Sequence, residues 1–206
     1  MRTFAPIAIV AAVLCGCAFD SKWSQQSFAF TVPEDPPAAN PPKSIIALSR
    51  VSISPLFQGR SFTYRTGEDS YERDPYARFL VEPDRAMAET IRGWLGASGA
   101  FGRVLEPGSS LAPTLDAEAT VNELCGDLRD PAHPVAALEI RLIIYKVTES
   151  GPGAVVLDRT INQQTPMAHK SPAALMAGWD ADLREVMDQM MSDYAKASPD
   201  HGPRLP

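Results

Sequence analysis

Cysteine is scarce in this chain, with three in 206 residues, and histidine is equally rare, also with three. Cys15 and Cys17 stand near the N-terminus, which leaves Cys125 by itself in the body of the chain. One thiol cannot close an internal disulfide. No local motif makes Cys125 a nucleophile, so a buried structural thiol is expected there. His133, His169 and His201 show no H-x-x-x-H spacing, and no cysteine pair accompanies them, so no metal site is expected. A phosphate loop is missing too. The glycine-rich "GASGAFG" (Gly96–Gly102) ends a helical pattern instead of opening one, which suits a helix C-cap. There is no G-x-S-x-G elbow. There is no run of lysine or arginine, and the net charge is −6 with a pI of about 5.1, which argues against charge-driven nucleic-acid binding. The expectation is a non-enzymatic protein without cofactor, metal or nucleic-acid partner.

A long apolar run is also lacking, with one exception at the start. "FAPIAIVAAVL" (Phe4–Leu14) follows Arg2 and has the length of a secretory h-region, too short for a membrane span. It ends in "LCGC", which resembles the lipobox of bacterial lipoproteins, with Leu14 at −3, Gly16 at −1 and Cys17 as the lipid acceptor. The resemblance implies a signal peptide over residues 1–16 and a chain held to a membrane by acyl groups on Cys17. Loss of Arg2 with the signal would change the net charge from −6 to −7. Ala18, where Asp would favour inner-membrane retention, points to the outer membrane and the periplasm of a Gram-negative cell, with the inner membrane also open.

What is present beyond that is ordinary globular material, 45% hydrophobic and 21% charged, of a length that suits one domain plus tails. Residues 17–43 read as a tether. It contains a short strand, "SFAFTVP" (Ser27–Pro33), and a proline-rich linker, "EDPPAANPPK" (Glu34–Lys43), so the fold starts near residue 27 or 44. "SIIALSRVSISP" (Ser44–Pro55) is a strand closed by Pro55. Pro83 and Asp84 open a helix with Met87, Ile91 and Leu95 on one face. "FGRVL" (Phe101–Leu105) is a short strand. "LDAEATVNELC" (Leu115–Cys125) alternates imperfectly. "VAALEIRLIIYKVTE" (Val135–Glu149) is a long strand expected at the sheet centre, turned through "SGPG" (Ser150–Gly153) into "AVVLDRTINQQTP" (Ala154–Pro166). Ser171 caps a last helix with Leu175, Trp179, Leu183, Val186, Met190 and Tyr194 on one face. Its methionines (Met176, Met187, Met190, Met191) suit either core packing or an adaptable groove. Residues 198–206 read as a disordered tail. The predicted architecture is α+β: a mixed, largely antiparallel sheet with two helices packed on one face, spanning residues 44–197.

Between the first strand and the first helix lies "GRSFTYRTGEDSYERDPYARFLVEPDRAMAE" (Gly59–Glu89), with seven acids and five arginines around its rings. A hairpin is expected, irregular around Asp74–Pro75. Arg60, Phe62, Tyr64, Tyr76 and Phe79 are its partner-binding candidates, because aromatics and arginine are enriched in interface hot spots. Core positions for Phe62 and Phe79 are the competing expectation. On the partner reading, Arg60, Tyr64 and Tyr76 would tolerate alanine for folding but not for function.

The order of the lipobox, "FAFTVP", the proline linker, "IIALSRVSISP", "GRSFTYR", "YARFLVEPDRAMAETIRGWL" and "GRVLEP" resembles the ABC-type transport auxiliary lipoproteins over residues 14–195. These accompany transporters with mammalian-cell-entry (MCE) domains, including the paraquat-inducible intermembrane systems. Many members carry Tyr-x-x-x-x-Trp before the first helix, whereas Tyr76 and Phe79 stand closer here and Phe replaces Trp. The resemblance implies a non-enzymatic subunit, anchored through Cys17, that serves transport of phospholipid or another hydrophobic solute. Its implied partners are an ABC permease, an ATPase and MCE-domain subunits, with homo-oligomers also open. Two other readings stand beside it: an outer-membrane structural or assembly lipoprotein, and a lipid-anchored hydrolase using Cys125 or a carboxylate pair.

Overall fold

A computed structural model describes residues 24–32 and 43–198. The expected signal peptide over residues 1–16, Cys17, most of the proline linker and the expected tail with His201 lie outside the described residues. Eight strands form one sheet, and two helices cover one of its faces.

The strand with most neighbours is β6 (Leu115–Asp127). Leu115, Ala117, Ala119 and Val121 are buried on the helical side, and the small alanines let helices approach closely. On one edge β6 pairs antiparallel with β7 (Val135–Thr148), and β7 pairs antiparallel with β8 (Gly151–Pro166). The long Leu138–Ile144 strand is therefore one place in from the sheet edge rather than central. The turn into β8 is also tighter than the sequence suggests: Thr148 pairs with Gly151, so two residues close the hairpin.

The other edge of β6 is shared by two strands. β2 (Ile45–Ile53) runs parallel to its first half, from Ile46 beside Leu115 to Ile53 beside Val121. A 3-10 turn at Pro55–Phe57 then takes the chain away, with Phe57 buried. β3 (Ser61–Arg65) returns to the same edge and pairs Tyr64 with Gly126 and Arg65 with Asp127. Outside β3 lie β4 (Tyr71–Phe79), antiparallel, and then β1 (Gln26–Phe28), parallel to β4. Outside β2 lies β5 (Arg103–Leu105). Gln26–Phe28 is thus a strand of the sheet, not a feature of a separate tether. The two longest ladders are antiparallel and the sheet is mixed, as expected.

α1 (Pro83–Ala97) begins at its proline and buries Met87, Ile91 and Leu95. α2 (Pro172–Ala197) is capped by Ser171, whose hydroxyl accepts from the Ala174 amide at 3.2 Å. It buries Leu175, Trp179, Leu183, Val186, Met187, Met190 and Tyr194 against Leu138, Ile140, Leu142 and Ile144. Each such fully buried side chain contributes about 1.5–3 kcal/mol. Met176, Met187 and Met190 are buried, so the methionines belong to this core. Among the described residues the opposite sheet face carries no helix, and it is rich in polar groups. On it Tyr145 donates toward Asp116 and Glu118, both at 3.2 Å, Asn162 bridges Glu123 and Glu139, and Arg141 forks onto Asp158.

Gly178 sets the distance between α2 and the sheet. A Cβ there would stand 2.5 Å from the Ala136 Cβ. Gly178→Ala gains helix propensity but overpacks this contact, so stability in urea unfolding is expected to fall by about 1–3 kcal/mol.

Candidate functional site

The aromatic–arginine hairpin is β3 and β4, and its rings point inward. Phe62 is fully buried and Phe79 nearly so. Phe62 meets Phe28 at 5.2 Å, Phe79 at 4.8 Å and Trp179 at 4.9 Å between centroids. Phe79 in turn stacks on Trp179 at 5.5 Å and on Phe30 at 5.7 Å. Five rings therefore join the hairpin, α2 and residues 28–30. The Trp179 indole N–H completes the junction by donating to the carbonyls of Cys125 and Ala137, each at 3.2 Å.

Tyr64 is also inside, over Gly126, with the Lys170 ammonium 5.3 Å from its ring centroid. Its hydroxyl donates to Asp74 at 3.4 Å, and burial and then the Asp74 charge raise its pKa. Arg60 donates from Nε to the Phe79 carbonyl at 2.9 Å and from Nη2 to the Leu80 carbonyl at 2.6 Å. It clamps the end of β4. The partner-facing expectation is therefore corrected for Phe62, Tyr64 and Phe79: period-2 alternation turns them toward the helices, where Trp179 fills the space between. Arg60 and Tyr64 thus bond within the hairpin itself, so alanine at either is expected to cost stability.

Tyr76 differs. Ser61 pairs with Arg78 but Thr63 pairs with Arg73, so β4 carries extra residues in a bulge at Asp74–Ala77. The Asp74 carboxylate accepts from the amides of Tyr76 and Ala77, both at 2.8 Å. This local turn sends Ala77 into the core and leaves Tyr76 42% exposed beside β1. The irregularity expected at Asp74–Pro75 is this bulge.

The hairpin tip is held by ions. Arg129 pairs with Asp127 at 2.6 Å and with Glu68 at 3.3 Å, and Arg65 reaches Glu68 at 3.5 Å. Hydrogen bonds from Arg129 hold the Asp127 carboxyl below its ordinary pKa. These carboxylates are engaged in ion pairs that fasten the hairpin tip to the end of β6. Cys125 is fully buried, 3.6 Å from Glu123, and burial followed by the Glu123 charge raises its pKa. A thiol so placed stays protonated at neutral pH and unreactive. His133 sits on the surface, 2.7 Å from Asp130. Among the described residues no group of three or more His, Cys, Asp or Glu side chains is arranged to hold a metal ion, and no helix is long and apolar enough to cross a membrane.

Two features escaped the sequence reading. The Asp180 carboxylate accepts from the Thr31 amide and hydroxyl, both at 3.0 Å, and so pins the N-terminal segment to α2. Asp182 is 1% exposed, accepts from the Thr165 hydroxyl at 2.7 Å, and leaves its second oxygen without a partner. Its place between Trp179 and Leu183 on the apolar face was the available signal.

No family model matches this sequence, and no curated protein matches it. Its fold is similar to that of the protein XCC0632 from Xanthomonas campestris, a DUF330-family protein. That likeness has a TM-score of 0.68 at 15% identity and covers 84% of this chain and 97% of that one. A second structure, of an uncharacterized protein, superposes with a TM-score of 0.56 at 12% identity over 85% of this chain and 97% of that one. The lipoprotein GNA1162 from Neisseria meningitidis reaches only a TM-score of 0.36 at 10% identity, over 71% and 99% of the two chains. At these identities the first two likenesses show a shared fold.

Phe62→Ala is expected to cost about 3–5 kcal/mol in urea unfolding, against less than ~1 kcal/mol for Tyr76→Ala. Burial pushes the Asp182 pKa from 3.8 up to about 6, with the Thr165 hydrogen bond opposing. The folded state therefore holds this proton more tightly than the unfolded chain. The resulting destabilisation is full above pH 6 and relieved as the pH falls from 6 toward 4. Asp182→Asn should raise stability at pH 7.5 by roughly 1–3 kcal/mol, with the gain shrinking at pH 5. Urea midpoints at the two pH values measure it.

Proposed function

We propose that this chain is a non-enzymatic lipoprotein, anchored through Cys17 and facing the periplasm, that serves as an accessory subunit of an ABC/MCE-type intermembrane transport system for phospholipid or another hydrophobic solute. The observation that carries this reading is how the N-terminal segment is built in. β1 begins nine residues after Cys17, a length of chain that spans at most roughly 32 Å. Residues 26–32 are then fastened by the β4 ladder, by Phe28 and Phe30 in the ring cluster, and by the two Asp180 bonds. An acylated Cys17 would thus hold the sheet close to a membrane and transmit load directly to the core. The order of motifs from the lipobox through "GRVLEP" supplies the transport part of the reading, and Ala18 supplies the outer membrane. The buried Cys125 and the ion-paired carboxylates support a non-enzymatic role.

Two measurements test it. Mass spectrometry should find acyl groups on Cys17, and Cys17→Ala should move the protein from the membrane to the soluble fraction. Affinity capture from detergent-solubilised membranes should recover an ABC permease, an ATPase and MCE-domain subunits. Repeated capture of barrel-assembly or cell-wall proteins with none of these would replace the transport reading by an assembly role.

A further inference from the structure

Residues 26–32 form a strap that touches both helices. β1 gives it three parallel pairs with β4, and the Leu80 amide donates to the Phe28 carbonyl at 2.7 Å. Phe28 and Phe30 enter the ring cluster, Thr31 is bonded to Asp180 of α2, and Val32 packs on Gly93 of α1. A Cβ at position 93 would collide with Val32, so α1 is bare at the point where the strap lies on it. These partners begin at Phe62 in the sequence, so none of these contacts is made with the chain next to the strap.

Residues 33–42 join the strap to the start of β2, and five of those ten are proline. Both ends of the join come to one rim of the body. Val32 sits at Gly93, and the Ser44 carbonyl accepts from the amides of Gly102 and Arg103 at 2.9 and 3.3 Å. About 6 Å of helix, from Gly93 to Ala97, and the turn after α1 separate those two places. Ten residues of proline-rich sequence favour an extended reach of about 31 Å. Seating the strap on its own body turns such a sequence back on itself, whereas seating it on a neighbouring body lets it run straight.

We infer that two copies of this chain exchange their straps, each laying Phe28, Phe30, Thr31 and Val32 onto β4, α1 and α2 of the other. Exchange keeps every contact of the strap and changes only the copy that supplies it. Both seats are then filled, so the assembly closes at two chains. Copies held on one membrane would meet at high effective concentration, which favours the pair further. The exchange itself needs no anchor, so it can succeed or fail apart from the transport reading.

The test uses the full mature chain carrying Cys17→Ala, with Val32→Cys and Gly93→Cys added. The Val32 Cβ lies 3.6 Å from a Cβ built at position 93, within the range of about 3.5–4.5 Å that a disulfide spans. The seated strap therefore closes the bond, and a non-reducing gel shows which copy it came from. A covalent dimer that reduction returns to monomer is expected. A 1:1 mixture of the two single-cysteine chains, refolded together from urea, should give a pair joined through positions 32 and 93 by peptide mass spectrometry. Because Gly93→Cys can disturb the seat, light scattering on the Cys17→Ala chain alone provides a second reading, with twice the monomer mass expected. Pro36→Gly, Pro37→Gly, Pro41→Gly and Pro42→Gly together should shift that mass toward the monomer while the urea midpoint measured at low protein concentration stays unchanged. A 32–93 bond formed only within one chain overturns the exchange, and so does a monomeric Cys17→Ala chain. A dimer whose mass the four glycines leave unchanged overturns the proline join as its cause.

Discussion

Trp179 sits where α2, the β3–β4 hairpin and the N-terminal segment meet, and its indole N–H reaches into the sheet between β6 and β7. An aromatic of this size needs both its faces covered and its one donor satisfied. Phe62 and Phe79 cover it, and two main-chain carbonyls take the donor. Phe28 and Phe30 join at the outside of the same cluster, so the first described residues of the chain are core residues. Gly178, the preceding residue, brings the helix close enough for this to happen.

The two faces of the sheet follow opposite rules. The covered face is built from alternating aliphatic residues under two amphipathic helices. The uncovered face is held by hydrogen bonds among charged and neutral polar groups, with Tyr145 and Asn162 placed between carboxylates. Burial, then the Asp116 and Glu118 charges, raise the Tyr145 pKa, so its hydroxyl remains a donor at neutral pH. Asp182 breaks the rule on the covered face, as a carboxyl under a helix with a single hydroxyl for company. Its charge is tolerated because the rest of α2 is anchored through Trp179 and the residues below it.

Local signals read well where one residue type dictates one geometry. Pro83 and Ser171–Pro172 marked both helix starts, and the period-2 runs marked β6, β7 and β8. The burial of Cys125 followed from the absence of any motif around it. The pairing of β2 and β3 with the same edge of β6 was not legible. Parallel register depends on how a long connection crosses, and no local pattern records that. The direction of the hairpin rings was half legible. Alternation put Phe62 and Tyr64 on one side of a strand, but that side became the interior because two helices lie on it. The Asp74 bulge then gave Tyr76 the opposite fate from Phe79, three residues away.

By itself the sequence determined the element types, the helix caps and the α+β class, since each rests on residues close together in the chain. The tertiary structure alone decided that the first strand belongs to the sheet, that Arg60 clamps the backbone at the end of β4, and that Asp180 pins residue 31 to α2. Each of these depends on groups far apart in the chain being brought within a few ångströms. That proximity comes from packing around Trp179 and not from any pattern along the chain.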